Sequence, residues 1–158
     1  MIQFDNRGFI TPYDVVESDL KELEQVFTFN DHRKNLFQEY ILFLNSIQNL
    51  GISTFYQWVN GSFTTMKTNP NDIDVVTFIP FTDFEKHESF FEKLFLNRYL
   101  TKIDCYFIKT YPENHPNFIR FRANQLDFWH NFTKTVKKQG RSEIKISKGL
   151  VKIQFNNV

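Results

Sequence analysis

The chain holds one cysteine, five glycines and five prolines in 158 residues. Lone Cys105 rules out an intramolecular disulfide and a cysteine zinc cluster, and it fits a reducing compartment. With so few glycines there is little room for a glycine-rich nucleotide loop, and neither a Walker motif nor a Rossmann fingerprint occurs. The four histidines, at 32, 87, 115 and 130, have no zinc-ligand spacing, and no serine-hydrolase elbow is present. The longest apolar runs, such as 40–44, are too short to span a bilayer, and no secretory segment is recognisable. A soluble, cytoplasmic protein without membrane contact is therefore expected.

What is present points to a folded domain. Hydrophobic residues make up 41% and aromatic residues 18%, and twenty phenylalanines supply a core built mainly of rings. The length suits a single domain over 1–158, with an N-terminal helical part at 1–53, core strands at 54–109 and a C-terminal helix with a β-hairpin at 110–158. Net charge is only +1, yet the charge is uneven. Residues 1–31 carry seven acids against Arg7 and Lys21, and residues 120–158 carry nine bases against Asp127 and Glu143. That basic end suits a triphosphate or RNA, and suits equally a solvated face balanced by the acidic one.

Periodicity sets out the elements. Ser18 is a candidate cap for a helix at 19–27, and Asp31 for a longer one in which Leu36, Phe37, Tyr40, Ile41, Leu44 and Ile47 form the apolar side and Arg33, Lys34, Gln38 and Asn45 the polar side; Gly51 closes it. Strands are predicted at 55–59, 73–79 and 102–109. Further helices are predicted at 84–98, capped by Asp83, and at 118–137, followed by short strands at 143–146 and 150–155. Helices interleaved with strands predict α/β (α+β) architecture with one mixed sheet.

The informative stretch lies between the first two predicted strands. Gly61 follows the apolar run 55–59 and lets backbone come close to a bulky anion. Ser62 stands where a helical turn begins, a place whose hydroxyl and N–H groups suit phosphate oxygens. Lys67 lies within reach of an anion held there. Asp72 and Asp74 alternate with Ile73 and Val75, so on a strand both acids share one face. Two such carboxylates repel each other unless a cation lies between them, and hard oxygen ligands of this kind suit magnesium with substrate phosphates. Asp104, alone among β-formers on another predicted strand, would make a third. Taken singly, each has a plainer reading: a turn at 61–62, surface acids, a solvated lysine.

An apolar residue with Gly-Ser, a spacer near ten residues, Asp-x-Asp on a strand and a later Asp resembles the nucleotidyltransferase superfamily of the DNA polymerase beta type. The likeness covers roughly residues 57–108. More loosely, the whole chain is similar to minimal bacterial nucleotidyltransferase-like proteins, with Trp129 and the 148–151 segment as further points of likeness. The resemblance implies a compact nucleotidyltransferase core that moves a nucleoside monophosphate from an NTP, ATP by expectation, to a hydroxyl. Mg²⁺ (or Mn²⁺) would sit on Asp72 and Asp74, and Asp104 would complete a second ion's site or accept a proton. Gly61, Ser62 and Lys67 would hold the β- and γ-phosphates. The resemblance leaves the acceptor open among a protein, a small molecule and RNA, including a tRNA end. It includes toxin–antitoxin and phage-defence settings, and a non-catalytic nucleotide-binding subunit. Antitoxin members carry Ala-Arg-Gly after Gly-Ser, whereas Phe63-Thr64-Thr65 stands here.

Overall fold

The computed structural model describes residues 1–156. It is mixed α/β, as the periodicity predicts. One five-stranded sheet carries the fold, in the order β3 (Val15–Ser18), β9 (Leu150–Asn156), β4 (Thr54–Asn60), β5 (Ile73–Pro80), β6 (Ile103–Thr110). The β3–β9 and β5–β6 pairs are parallel, and β9–β4 and β4–β5 are antiparallel. A two-stranded hairpin, β1 (Gln3–Phe4) and β2 (Ile10–Thr11), precedes the sheet.

Both faces of the sheet are covered, which explains why β4 and β5 read as nearly continuous apolar runs. On one face, α1 (Leu20–Phe27) and α2 (Asp31–Gln48) pack Leu23, Phe27, Leu36, Tyr40, Leu44 and Ile47 against Val59, Ile73, Val75 and Val151, all buried. Full burial of such a side chain contributes roughly 1.5–3 kcal/mol. A buried polar chain adds direction. Tyr40 Oη donates to Gln57 Oε1 at 2.6 Å, and Gln57 Nε2 donates to Thr77 Oγ1 at 3.0 Å, which registers α2 on β4 and β5. On the other face, α5 (Phe118–Phe132) lays Phe121, Phe128, Trp129 and Phe132 over Trp58, Val76, Phe78 and Leu150.

Local chemistry moved several boundaries. Asp19, not Ser18, caps α1: its backbone is extended and its carboxylate accepts from Glu22 N at 2.8 Å. Asn30, not Asp31, caps α2 by accepting from Arg33 N at 2.8 Å. The predicted helix at 84–98 is two helices, α3 (Phe81–Lys86) and α4 (Glu88–Leu96), broken where His87 leaves helical dihedrals; Asp83 lies inside α3 and does not cap it. The predicted helix at 118–137 stops at Phe132. Thr133 turns its hydroxyl back to Trp129 O at 2.8 Å, and the β-favouring Thr135-Val136 begins β7 (Lys134–Gln139). This strand pairs with β8 (Ser142–Ser147) across Gly140, whose φ of +59° needs no Cβ. The predicted partner of 143–146 therefore lies elsewhere: 150–155 leaves the hairpin and enters the main sheet between β3 and β4. Among the described residues no helix is long and apolar enough to cross a membrane.

Candidate functional site

The antiparallel turn from β4 to β5 brings the singled-out residues to one end of the sheet. Asn60 sits directly opposite Asp74, and Asp74 directly opposite Asp104 on the parallel neighbour. Partners in register share a face, so Asn60, Asp74 and Asp104 form a row across three strands on the α5 side. Asp72, two residues before Asp74, lies at the edge of that row. Gly61 is packed against it. Its φ is +79°, and a Cβ built there would lie 1.8 Å from Asp74 Oδ2. No other residue type fits that backbone and that gap.

The row is electrostatically loaded. Burial is the main reason Asp74 is pushed up to about 7, and the negative charges of Asp72 and Asp104 push in the same direction. Asp72 is also raised, by burial first and by Asp104 second, against the pull of Lys102 and Lys67. The buried Oδ1 atoms of Asn60 and Asp104 have no hydrogen-bond partner. Unbonded buried oxygens beside carboxylates that repel one another are what a hard cation relieves, so the donor set fits Mg²⁺ or Mn²⁺. The three aspartates do not converge as they stand: among the described residues no group of three acidic, histidine or cysteine side chains is close enough to hold an ion. Asp104 lies between Asp74, whose carboxyl its side chain helps to raise at hydrogen-bonding range, and Arg98, whose Nε lies 3.6 Å from Asp104 Oδ1.

Beyond Gly61 the chain makes one 3-10 turn at Ser62–Thr64. Phe63 anchors the turn in the core, fully buried. The stretch to residue 70 is held from α2. The buried Arg33 guanidinium donates to the carbonyls of Phe63 (2.7 Å), Thr65 (2.7 Å) and Lys67 (2.9 Å from Nε), with a longer contact to Ser62 O (3.4 Å) and a bond back to Phe27 O (3.0 Å). Asn30 donates to Thr68 O at 2.8 Å, and a His32 ring nitrogen meets Pro70 O. Arg33 thus belongs to the interior rather than to the polar side of its helix, as its spacing suggested. Burial lowers its pKa to about 10, well above the working range, so it stays charged.

Against this loop opens a cavity of about 460 Å³ lined by Arg7, Ser62, Thr65, Lys67, Thr135 and Lys148. With Phe9 and Met66 the lining counts eight residues, of which three are cationic. The sequence reading assigned neither Arg7 nor Lys148 to the site, and Lys148 is the buried one of the two. It is 7% exposed, burial lowers its pKa, and the charge of Asp74 opposes that shift. Its backbone is pinned between Thr133 O (2.8 Å from Lys148 N) and Ile10 O (2.8 Å from Gly149 N). A Cβ on Gly149 would lie 2.5 Å from Pro12 O, so that glycine lets the N-terminal hairpin close over the lysine. The one sequence signal for this was the Ser-Lys-Gly break between two β-patterned runs. The arrangement offers phosphate-sized anion space, flanked by carboxylates, at the same end of one sheet.

The sequence profile of a family of unknown function, DUF6932, matches residues 2–154. No curated protein and no solved structure matches the chain.

Proposed function

The chain belongs to DUF6932, and for it we propose a metal-dependent nucleotidyltransferase that moves a nucleoside monophosphate from an NTP to a hydroxyl acceptor. The observation that carries the reading is the juxtaposition of the cationic cavity at Ser62 with the carboxylate row at Asp74, joined through Gly61. Either half alone has structural explanations. Together they match the two ends of a triphosphate bound to a divalent ion.

Asp72 and Asp74 would hold the Mg²⁺ or Mn²⁺ ion. Such an ion neutralises charge on the phosphates and lowers the barrier to displacement at phosphorus. The protein's own groups do the rest. The Ser62 hydroxyl and the backbone at Gly61 bind the outer phosphates, and Lys148, Lys67 and Arg7 balance their charge. The acceptor oxygen bonds to the α-phosphorus, the bond from that phosphorus to the bridging oxygen breaks, and pyrophosphate leaves with the electron pair. The acceptor's proton passes to a carboxylate of the row, the role this reading gives to Asp104. In such a reaction catalysis comes from position and charge, so loss of Asp72 or Asp74 costs several kcal/mol of barrier.

A second reading, a nucleotide-binding subunit without transfer, is favoured by one observation: Asp104 is already engaged by the cationic Arg98. The exposed β7–β8 hairpin, with Lys134, Lys137, Lys138, Lys145 and Arg141, is where an RNA acceptor would be gripped.

The test is calorimetric titration of ATP, GTP, CTP and UTP with Mg²⁺ on the wild type and on Asp72→Asn/Asp74→Asn. Magnesium-dependent binding of at least one NTP, lost in the double variant, is expected. Wild-type protein that binds none of the four would refute the reading. Binding without pyrophosphate release in the presence of any hydroxyl acceptor would move the protein to the second reading.

A further inference from the structure

Arg98 is not a surface arginine that happens to meet an acid. It sits in the 3-10 turn Arg98–Leu100, just before β6, and its side chain is only 14% exposed. Its guanidinium donates to Phe95 O and to Tyr99 Oη, both at 2.7 Å. It lies over three rings, at 3.9 Å from the Phe95 centroid, 4.2 Å from Tyr99 and 5.5 Å from Tyr106. Tyr106 projects from the same face of β6 as Asp104. The two atoms that meet, Arg98 Nε and Asp104 Oδ1, are buried and make no hydrogen bond. At 3.6 Å they pair through charge rather than a hydrogen bond.

We propose that Arg98 takes the place of a second cation at Asp104, so that the site loads a single divalent ion on Asp72 and Asp74. The inference rests on the nucleotidyl-transfer reading and narrows it. The cage of rings and carbonyl fixes a positive charge at the far end of the carboxylate row. A divalent ion ligated by Asp104 Oδ1 would have to share that oxygen's surroundings with a guanidinium that has no second acid to turn to. Arg98 is on this view a positioning residue: it holds Asp104 out of the ligand set.

Mn²⁺ titration of the full chain without nucleotide, followed by the paramagnetic signal of the free ion, tests it. One Mn²⁺ per chain is expected for the wild type. Arg98→Gln frees Asp104 and should bind a second ion or bind Mn²⁺ at least about tenfold more tightly, whereas Arg98→Lys should behave as the wild type. Circular dichroism checks folding of each variant. Because Arg98→Gln removes a caged side chain and can fail to fold, Asp104→Asn gives an independent reading: it should keep one ion with affinity within about threefold. Two ions on the wild type, an unchanged Arg98→Gln, or loss of the ion in Asp104→Asn would each overturn the proposal. With the wild type at one ion and Arg98→Gln unchanged, only the role of Arg98 falls. No Mn²⁺ binding in any variant, with or without ATP, removes the nucleotidyl-transfer reading as well.

Discussion

Replacing Asp74 by Asn should stabilise the protein while disabling the site. Burial and the neighbouring acids raise Asp74 from 3.8 to about 7. A carboxyl with a raised folded-state pKa binds its proton more tightly when folded. The folded state then gives up stability as pH rises from about 4 to about 7, and the full cost is present above 7. Three units at about 1.4 kcal/mol each set a ceiling of about 4 kcal/mol. Part of that is screened by solvent, and part is returned by Lys148, which loses its opposing charge in the variant. A net gain of about 1–3 kcal/mol remains at pH 8, and about none at pH 4. For a chain of this length that is an increase of roughly 3–10 °C in Tm. Asn also retains the shape and the donor of the protonated acid. The assay is thermal unfolding of both proteins by circular dichroism at pH 4.5, 6 and 8 in EDTA, repeated with Mg²⁺. The difference should open with pH, and Mg²⁺ at pH 8 should raise the wild type and not the variant. A variant that is less stable than the wild type at pH 8 without metal, or a difference independent of pH, would refute the account of a repulsive carboxylate row.

Two further substitutions probe the loop. Arg33→Met should cost about 3–5 kcal/mol in urea unfolding, because it strands several buried carbonyls at once, and amide exchange across 61–70 should accelerate. Stability within about 1 kcal/mol of the wild type would show that the loop does not depend on Arg33. Gly61→Ala places a Cβ 1.8 Å from Asp74 Oδ2 at a φ of +79°. It should cost more than about 2 kcal/mol and abolish magnesium-dependent ATP binding; unaltered binding would place the nucleotide elsewhere.

Strand periodicity was enough to place β4, β5 and β6 and to put Asp74 and Asp104 each on a definite face, because a side-chain period of two fixes the face once the strands exist; that the two strands are neighbours was an expectation from the resemblance, and the register shows it. The helix starts at Ser18 and Asp31 were missed by one residue, since adjacent polar residues compete for a cap and only backbone geometry decides between them, and the one at Asp83 by three, because that helix begins directly after Pro80 with no side-chain cap. The course of β9 was hidden for a different reason. Residues 143–146 and 150–155 look alike locally, and the choice of partner is made by the long-range burial of Leu150, Val151 and Ile153. Arg33, Lys148 and Arg98 were the least legible. Each reads as a solvated charge from its neighbours, and each owes its setting to a segment far away in the chain: the loop at 61–70, the N-terminal hairpin, and β6.

Arg33 has a consequence for the cavity it never touches. By drawing the carbonyl oxygens of residues 63, 65 and 67 inward, it removes from the ligand side the dipoles most hostile to phosphate. The loop's polarity is thereby sorted, oxygens toward the interior, without any glycine-rich sequence. Since Arg33 belongs to α2, the sorting exists only when that helix is docked on the sheet. An anion site made this way has no independent existence as a loop. It is assembled in the same cooperative event as the core, so on the proposed function any change that loosens α2 should lower anion affinity first and unfold the protein only later.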